Sequence, residues 1–143
     1  MKQPLSISSV FESVLYSTDL IASRHFYSDL LGLRLLSENE LMLVFLVETG
    51  HYLLVFNPEL SSRSGRLVPS HGSLGPGHIA FKLAPTELDR WREYLSEKDI
   101  PIESEVEWDE GRRGRSIYVR DPSNNSVEFA PPQLWRYLES AQN

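Results

Sequence analysis

The sequence predicts an α+β protein of two βαβββ repeats whose paired, curled sheets surround a cup. Three observations predict it. The segments FESVLYSTDL and GHIAFKLAPTEL each read as a strand leading into a helix start, and they set Glu12 and His78 at matching points. An amphipathic helical stripe and then three short β-like runs follow each of them. Between the two sets lies PELSSRSGRLVPSHGSLGP, rich in Ser, Gly and Pro and composed like a linker or mobile loop.

The elements follow in order. A polar tail over 1–10 precedes a strand over 11–17, with Phe11, Ser13 and Leu15 on one face and Glu12, Val14 and Tyr16 on the other. Thr18 or Asp19 caps a helix over roughly 19–31, where Leu20, Tyr27, Leu30 and Leu31 form the apolar stripe and Gly32 the stop. Strands over 33–38, 41–48 and 51–57 complete the first repeat, residues 11–58, with hairpin turns at Glu38-Asn39-Glu40 and Thr49-Gly50. The linker covers 59–76. The second repeat, 77–131, begins with a strand over 77–83 that turns His78, Ala80 and Lys82 away from Ile79, Phe81 and Leu83. A helix over 86–98 follows, with Leu88, Trp91 and Leu95 as its stripe, then strands over 102–108, 115–120 and 126–130. Glu12 and His78 lie 66 residues apart, whereas Leu20 and Leu88 lie 68 apart, so the second strand-to-helix turn is expected to be two residues longer. Residues 132–143 read as a short C-terminal helix with Leu134, Trp135 and Leu138 as its contacts. Residues 11–131 together form one expected domain.

Bulk properties exclude several function classes. The 143 residues are 41% hydrophobic and 24% charged, as in an ordinary globular protein. A net charge of −6 argues against nucleic acid as a partner, because phosphate binding needs clustered Lys and Arg. No run is long enough to span a bilayer, and the N-terminus lacks the apolar core of a signal peptide. With no cysteine there is no disulfide, thiolate nucleophile or Cys-type zinc site, which fits a cytoplasmic setting. A metal, if held, must be held by His and carboxylate oxygen.

The strand faces concentrate that chemistry. If the aliphatic face of each first strand covers a helix, Glu12 and His78 point the other way. In the last strand Val127 and Phe129 would face the helix, so Glu128 joins them on the cup side. One imidazole and two carboxylates neutralise a divalent cation and leave positions open for water or substrate. Tyr118, which shares a face with Ser116 and Arg120, is expected to reach the cup as a substrate contact. Trp108 is expected to line the cup or its rim, and Arg115, beside Arg113, to contact an anionic substrate. The Asp121-Pro122 and Asn124-Asn125 pairs signal the turn that starts the last strand. His51 and His71 are expected to be loop and linker residues.

Three stretches carry a resemblance to a known family. STDLIASRHFYSDLLGLRL, GPGHIAFKL and IYVRDPSNNSVEF resemble the helix, metal-bearing strand and terminal strand of the vicinal oxygen chelate superfamily, which includes glyoxalase I, fosfomycin-resistance transferases, bleomycin-resistance proteins and extradiol dioxygenases. The likeness spans about residues 11–131. It implies the paired βαβββ fold, a homodimer, a small-molecule substrate and a divalent ion (Mn, Fe, Ni, Mg or Zn) held by Glu12, His78 and Glu128, with Glu128 also able to detach as a catalytic base. Glu12 stands where many relatives have His. The fourth ligand position falls in HYLLVFNP, on Leu53, Leu54 or Val55, all apolar, so the four-ligand glyoxalase I set is incomplete. The extradiol dioxygenase set is two His and one Glu, which Glu12 breaks, so the resemblance implies a metal-dependent isomerase or lyase, ahead of a ring-cleaving oxygenase, acting on an oxygen-rich molecule. The alternatives are a metal-free bleomycin-resistance-type protein that sequesters a cationic drug, and a non-catalytic dimerisation or regulatory module.

Overall fold

Alternating side chains give every strand of this chain one face for a helix and one face free of it. The computed structural model describes residues 5–140. The first four residues of the expected tail and the last three of the expected C-terminal helix lie outside the described residues. The chain divides into two compact units, with the boundary between Ser73 and Leu74, inside the expected linker.

The first unit runs β1 (Glu12–Tyr16), α1 (Leu20–Arg24), β2 (Arg34–Glu38), β3 (Met42–Glu48), β4 (His51–Phe56) and a short α2 (Pro58–Ser61). Asp19 caps α1, its carboxylate accepting from the Ala22 amide at 3.0 Å. The helix does not stay α-helical to residue 31. From His25 to Leu30 it widens into a π-turn, and the Leu31 amide reaches the Phe26 carbonyl at 3.0 Å. The neighbouring rings Phe26 and Tyr27 are both buried there, and Tyr27 packs on Phe45 of β3. Gly32 ends the helix at φ +77°, as a left-handed stop. The sheet order is β1-β4-β3-β2, with β1 parallel to β4 and the other pairs antiparallel.

The second unit repeats this plan with β5 (His78–Lys82), α3 (Leu88–Glu97), β6 (Ser104–Glu107), β7 (Arg115–Arg120), β8 (Ser126–Ala130) and α4 (Arg136–Ser140). Its sheet order is β5-β8-β7-β6, again with the first strand parallel to the last. A 3₁₀ turn, Pro85–Glu87, precedes α3 and has no counterpart before α1 among the described residues, which accounts for the longer strand-to-helix connection. Trp91 of α3 stacks on Phe129 of β8 at 5.2 Å, and Phe129 neighbours Phe81 of β5. Leu88 and Leu95 are buried with Ile117, Val119 and Val127. The helix thus covers the odd-numbered residues of β7 and β8. Among the described residues no helix is long and apolar enough to cross a membrane.

One turn holds the second sheet in register. The Asp121 carboxylate accepts from the Ser123 and Asn125 amides at 2.9 and 2.8 Å, and Asn124 takes a left-handed φ of +67°. The Asn125 side-chain oxygen then accepts from the Gly77 amide at 2.7 Å, at the entry to β5. So the turn between β7 and β8 also anchors β5.

The linker departs from its composition. Its first residues form α2, capped by Asn57. Ser61 Oγ donates to the His71 carbonyl at 2.6 Å, and the His71 amide donates to the Ser61 carbonyl at 2.9 Å. The His71 ring lies edge-on to Phe56 at 4.6 Å and its Nδ1 is 2.7 Å from the Tyr16 hydroxyl. Small polar residues made the stretch look loose, but one histidine ties its middle to the first sheet.

Two predictions follow from this packing. Gly111 and Gly114 both sit at φ +87°, but an added Cβ meets nothing at Gly111 and lies 2.6 Å from the Pro131 Cβ at Gly114. Gly111→Ala should cost about 1–2 kcal/mol and Gly114→Ala about 2–4 kcal/mol in thermal or denaturant unfolding; equal costs would contradict the crowding. His71→Ala removes a contact worth about 1 kcal/mol, so trypsin cleavage after Arg63 or Arg66 should quicken about fivefold with little change in melting temperature.

Candidate functional site

The helix-free face of the second sheet gathers polar side chains in adjacent rows. In the parallel pair His78 lies opposite Ser126 and Ala80 opposite Glu128, while the antiparallel pair sets Tyr118 opposite Glu128. Directly paired residues share a face, so His78, Ser126, Glu128, Tyr118 and Ser116 all look away from α3. Glu128 is only 6% exposed, an unusual setting for a carboxylate.

That burial is offset by donors. Ser116 Oγ donates to Glu128 Oε2 at 2.6 Å, and Trp108 Nε1 donates to Ser116 Oγ at 2.8 Å. Tyr118 lies directly across the strand pair from Glu128. Burial first, and then the neighbouring Glu128 charge, push the Tyr118 phenol up to about 12, so it remains a protonated donor across the physiological range.

His78 shows what the site can hold. Its Nδ1 is 3.1 Å from the Ser126 carbonyl and 3.2 Å from the Ser126 hydroxyl, and in the tautomer whose Nδ1 donates to that carbonyl, Nε2 offers a lone pair. Nε2 faces Glu128 Oε1 at 3.3 Å. In that tautomer a cation seated between Nε2 and Oε1 would satisfy both lone pairs. The spacing suits adjacent ligands of one ion with bonds of roughly 2.1 Å. A ligating His whose other nitrogen donates to a carbonyl is the usual arrangement at metal sites. The donor set therefore fits a divalent metal. Among the described residues no three His, Asp or Glu side chains form a ready-made cage.

Glu12 belongs to the first unit, exposed at the start of β1 and on the helix-free face of that sheet. The pairing there identifies the fourth position. Val14 lies opposite Leu54, as Ala80 lies opposite Glu128, and Leu54 lies opposite Val44, as Glu128 lies opposite Tyr118. Of the three apolar candidates Leu54 is thus the counterpart of Glu128, and Val44 that of Tyr118. The polar side chains His78, Tyr118 and Glu128 are thus gathered in the second repeat.

The other expected residues divide. Trp108 reaches the site through Ser116, and its ring lies 6.5 Å from Trp135 in the segment before α4. Arg115 does not reach it. Arg115 neighbours Ser116 in β7 and so takes the opposite face, where it pairs with Asp89 of α3 and Glu105 of β6, each at 3.3 Å. The expected anionic contact is thus replaced by a structural ion network that Arg92 also joins. His51 opens β4 on the helix side, 3.0 Å from Ser13 Oγ. Ser116 and Ser126 were not singled out from the sequence, although alternation from Tyr118 and Glu128 places both on the site face.

Comparison with known proteins agrees with this geometry. Residues 9–129 match the family model of the Glyoxalase/Bleomycin resistance protein/Dioxygenase superfamily. A biphenyl-2,3-diol 1,2-dioxygenase from Rhodococcus globerulus is 32% identical over 126 residues, covering 84% of this chain; the chain spans only 64% of that relative's length. Metallothiol transferase FosB from Staphylococcus saprophyticus is 28% identical over 124 residues, covering 87% of this chain and 75% of the relative. The crystal structure of a lactoylglutathione lyase from Agrobacterium tumefaciens superposes with a TM-score of 0.84 at 34% identity, covering 90% of this chain and 97% of that one. The chain belongs to the Glyoxalase/Bleomycin resistance protein/Dioxygenase superfamily.

Proposed function

We propose that this chain is a metal-dependent vicinal oxygen chelate enzyme whose divalent ion is held by His78, Glu128 and Glu12. The observation that carries the reading is His78 Nε2 facing Glu128 Oε1 at 3.3 Å, with both side chains already oriented from behind. The superfamily match and the enzymes among the relatives support it. Glu12 completes the set from the first repeat, within one chain or across a homodimer. The ion is one of Mn, Fe, Ni, Mg or Zn, and the setting is cytoplasmic.

When bound, such an ion supplies Lewis-acid polarisation of oxygens on the substrate. The protein's own residues do the rest. His78 and Glu128 orient the site, and the protonated Tyr118 hydroxyl can donate to a developing oxyanion. Glu128 is the carboxylate placed to take a proton if it leaves its ligand position. Leu54 and Val44 leave the corresponding part of the first sheet apolar, so the reaction depends on three ligands. Glu12 in place of a second His favours isomerase or lyase chemistry on a small oxygen-rich molecule over ring-cleaving oxygenation, which in this family pairs two His with one Glu.

Two measurements test the reading. Protein saturated at a hundredfold excess over its dissociation constant should gain about 2.7 kcal/mol of stability from Mn²⁺, Ni²⁺ or Zn²⁺, and Glu12→Ala, His78→Ala and Glu128→Ala should each lose that gain. No stabilisation of the wild type by any of these ions would sink the metal reading and favour the drug-binding alternative. Leu54→Glu installs the missing carboxylate. It should lower metal-free stability but tighten metal binding about tenfold or more by calorimetry, about 1.4 kcal/mol; unchanged affinity would contradict the repeat equivalence.

A further inference from the structure

The hydrogen-bond chain behind Glu128 has a direction, and the direction has a consequence. An indole nitrogen only donates. The Trp108 Nε1 proton therefore occupies one lone pair of Ser116 Oγ at 2.8 Å, which leaves the serine proton to go to Glu128 Oε2 at 2.6 Å. Ser116 is fully buried, so no water competes for its hydroxyl. Trp108 is itself held from behind, by Trp135 and by the Gly114 turn, where its amide donates to the Gly114 carbonyl at 2.9 Å. Arg113 adds a tie from that turn to the Leu134 carbonyl at 3.3 Å.

We propose that Trp108 and Ser116 are positioning residues that lock the Glu128 carboxylate, so that Oε2 is held by the protein and Oε1 alone is presented beside His78. The inference rests on the metal reading above for its consequence at the ion, but not for the lock itself. A carboxylate held at one oxygen is a one-oxygen ligand. It resists swinging to two-oxygen binding, and Oε1 can leave the ion to take a proton while Oε2 stays held by Ser116. The C-terminal segment then contributes to the site, because Trp135 and Leu134 help hold the loop that carries Trp108.

The test is a cobalt(II) titration of the full chain, followed by visible absorption, with Ser116→Ala, Ser116→Thr, Trp108→Phe and Glu128→Ala. Ser116→Ala should weaken cobalt binding about 10–100-fold, the range for groups that orient a ligand, and shift the absorption band as the carboxylate turns. Ser116→Thr, which keeps the hydroxyl, should restore both, and Trp108→Phe should give a smaller loss with the same shift. Wild-type affinity and spectrum in Ser116→Ala, alongside lost binding in Glu128→Ala, would overturn the inference and leave the metal reading standing. If the wild type binds no cobalt, the metal reading falls and the lock is judged by the indole proton of Trp108 in NMR. Slow exchange in the wild type that is lost in Ser116→Ala supports the lock, and fast exchange in the wild type overturns it.

Discussion

In both repeats the first strand pairs in parallel with the last, and that register determines which side chains can meet on the helix-free face. In the second repeat it brings His78 beside Ser126 and Ala80 beside Glu128, so the small Ala80 leaves the imidazole and carboxylate free to meet. The Asp121–Asn125 turn enforces this by binding its own amides and the Gly77 amide together. A slip of one residue would send Glu128 to the helix side, against Phe81 and Trp91. The site is therefore a consequence of strand pairing before it is a collection of polar residues.

The same register in the first repeat carries different chemistry. Leu54 and Val44 stand where the second repeat has Glu128 and Tyr118, and only Glu12 keeps a charged group at the equivalent of His78. The two repeats thus share a plan of strands without sharing its polar side chains. The first sheet's helix-free face ends instead in Tyr16 and Phe56, against which the linker docks through His71. One repeat holds the imidazole, phenol and buried carboxylate, and the other sets Val14, Val44 and Leu54 at the corresponding centre of its face, with Glu12 at the start of β1.

Much of this was legible in the sequence. Strand positions, the repeat offset and the face of Glu12, His78 and Glu128 all follow from alternation, because a pleated strand permits only two sides. Arg115 was misplaced by its chemistry; its parity relative to Tyr118 already put it on the helix face, where Asp89 and Glu105 await it. The π-turn at His25–Leu30 was not legible, since burying Phe26 and Tyr27 together is a tertiary demand that helix periodicity does not carry. The tie between His71 and Tyr16 and the chain from Trp108 to Glu128 join residues far apart in sequence, and polar composition around them disguised the first and left the second unmarked.

The proposed function requires Glu12, His78 and Glu128 to hold a single divalent cation. Crystals of the wild-type protein grown with Mn²⁺ and recorded near its absorption edge test it most directly. The expected result is one strong anomalous peak within bonding distance of His78 Nε2, Glu128 Oε1 and a Glu12 carboxylate oxygen. A peak that lacks Glu12, or no peak at the His78–Glu128 pair, would contradict it.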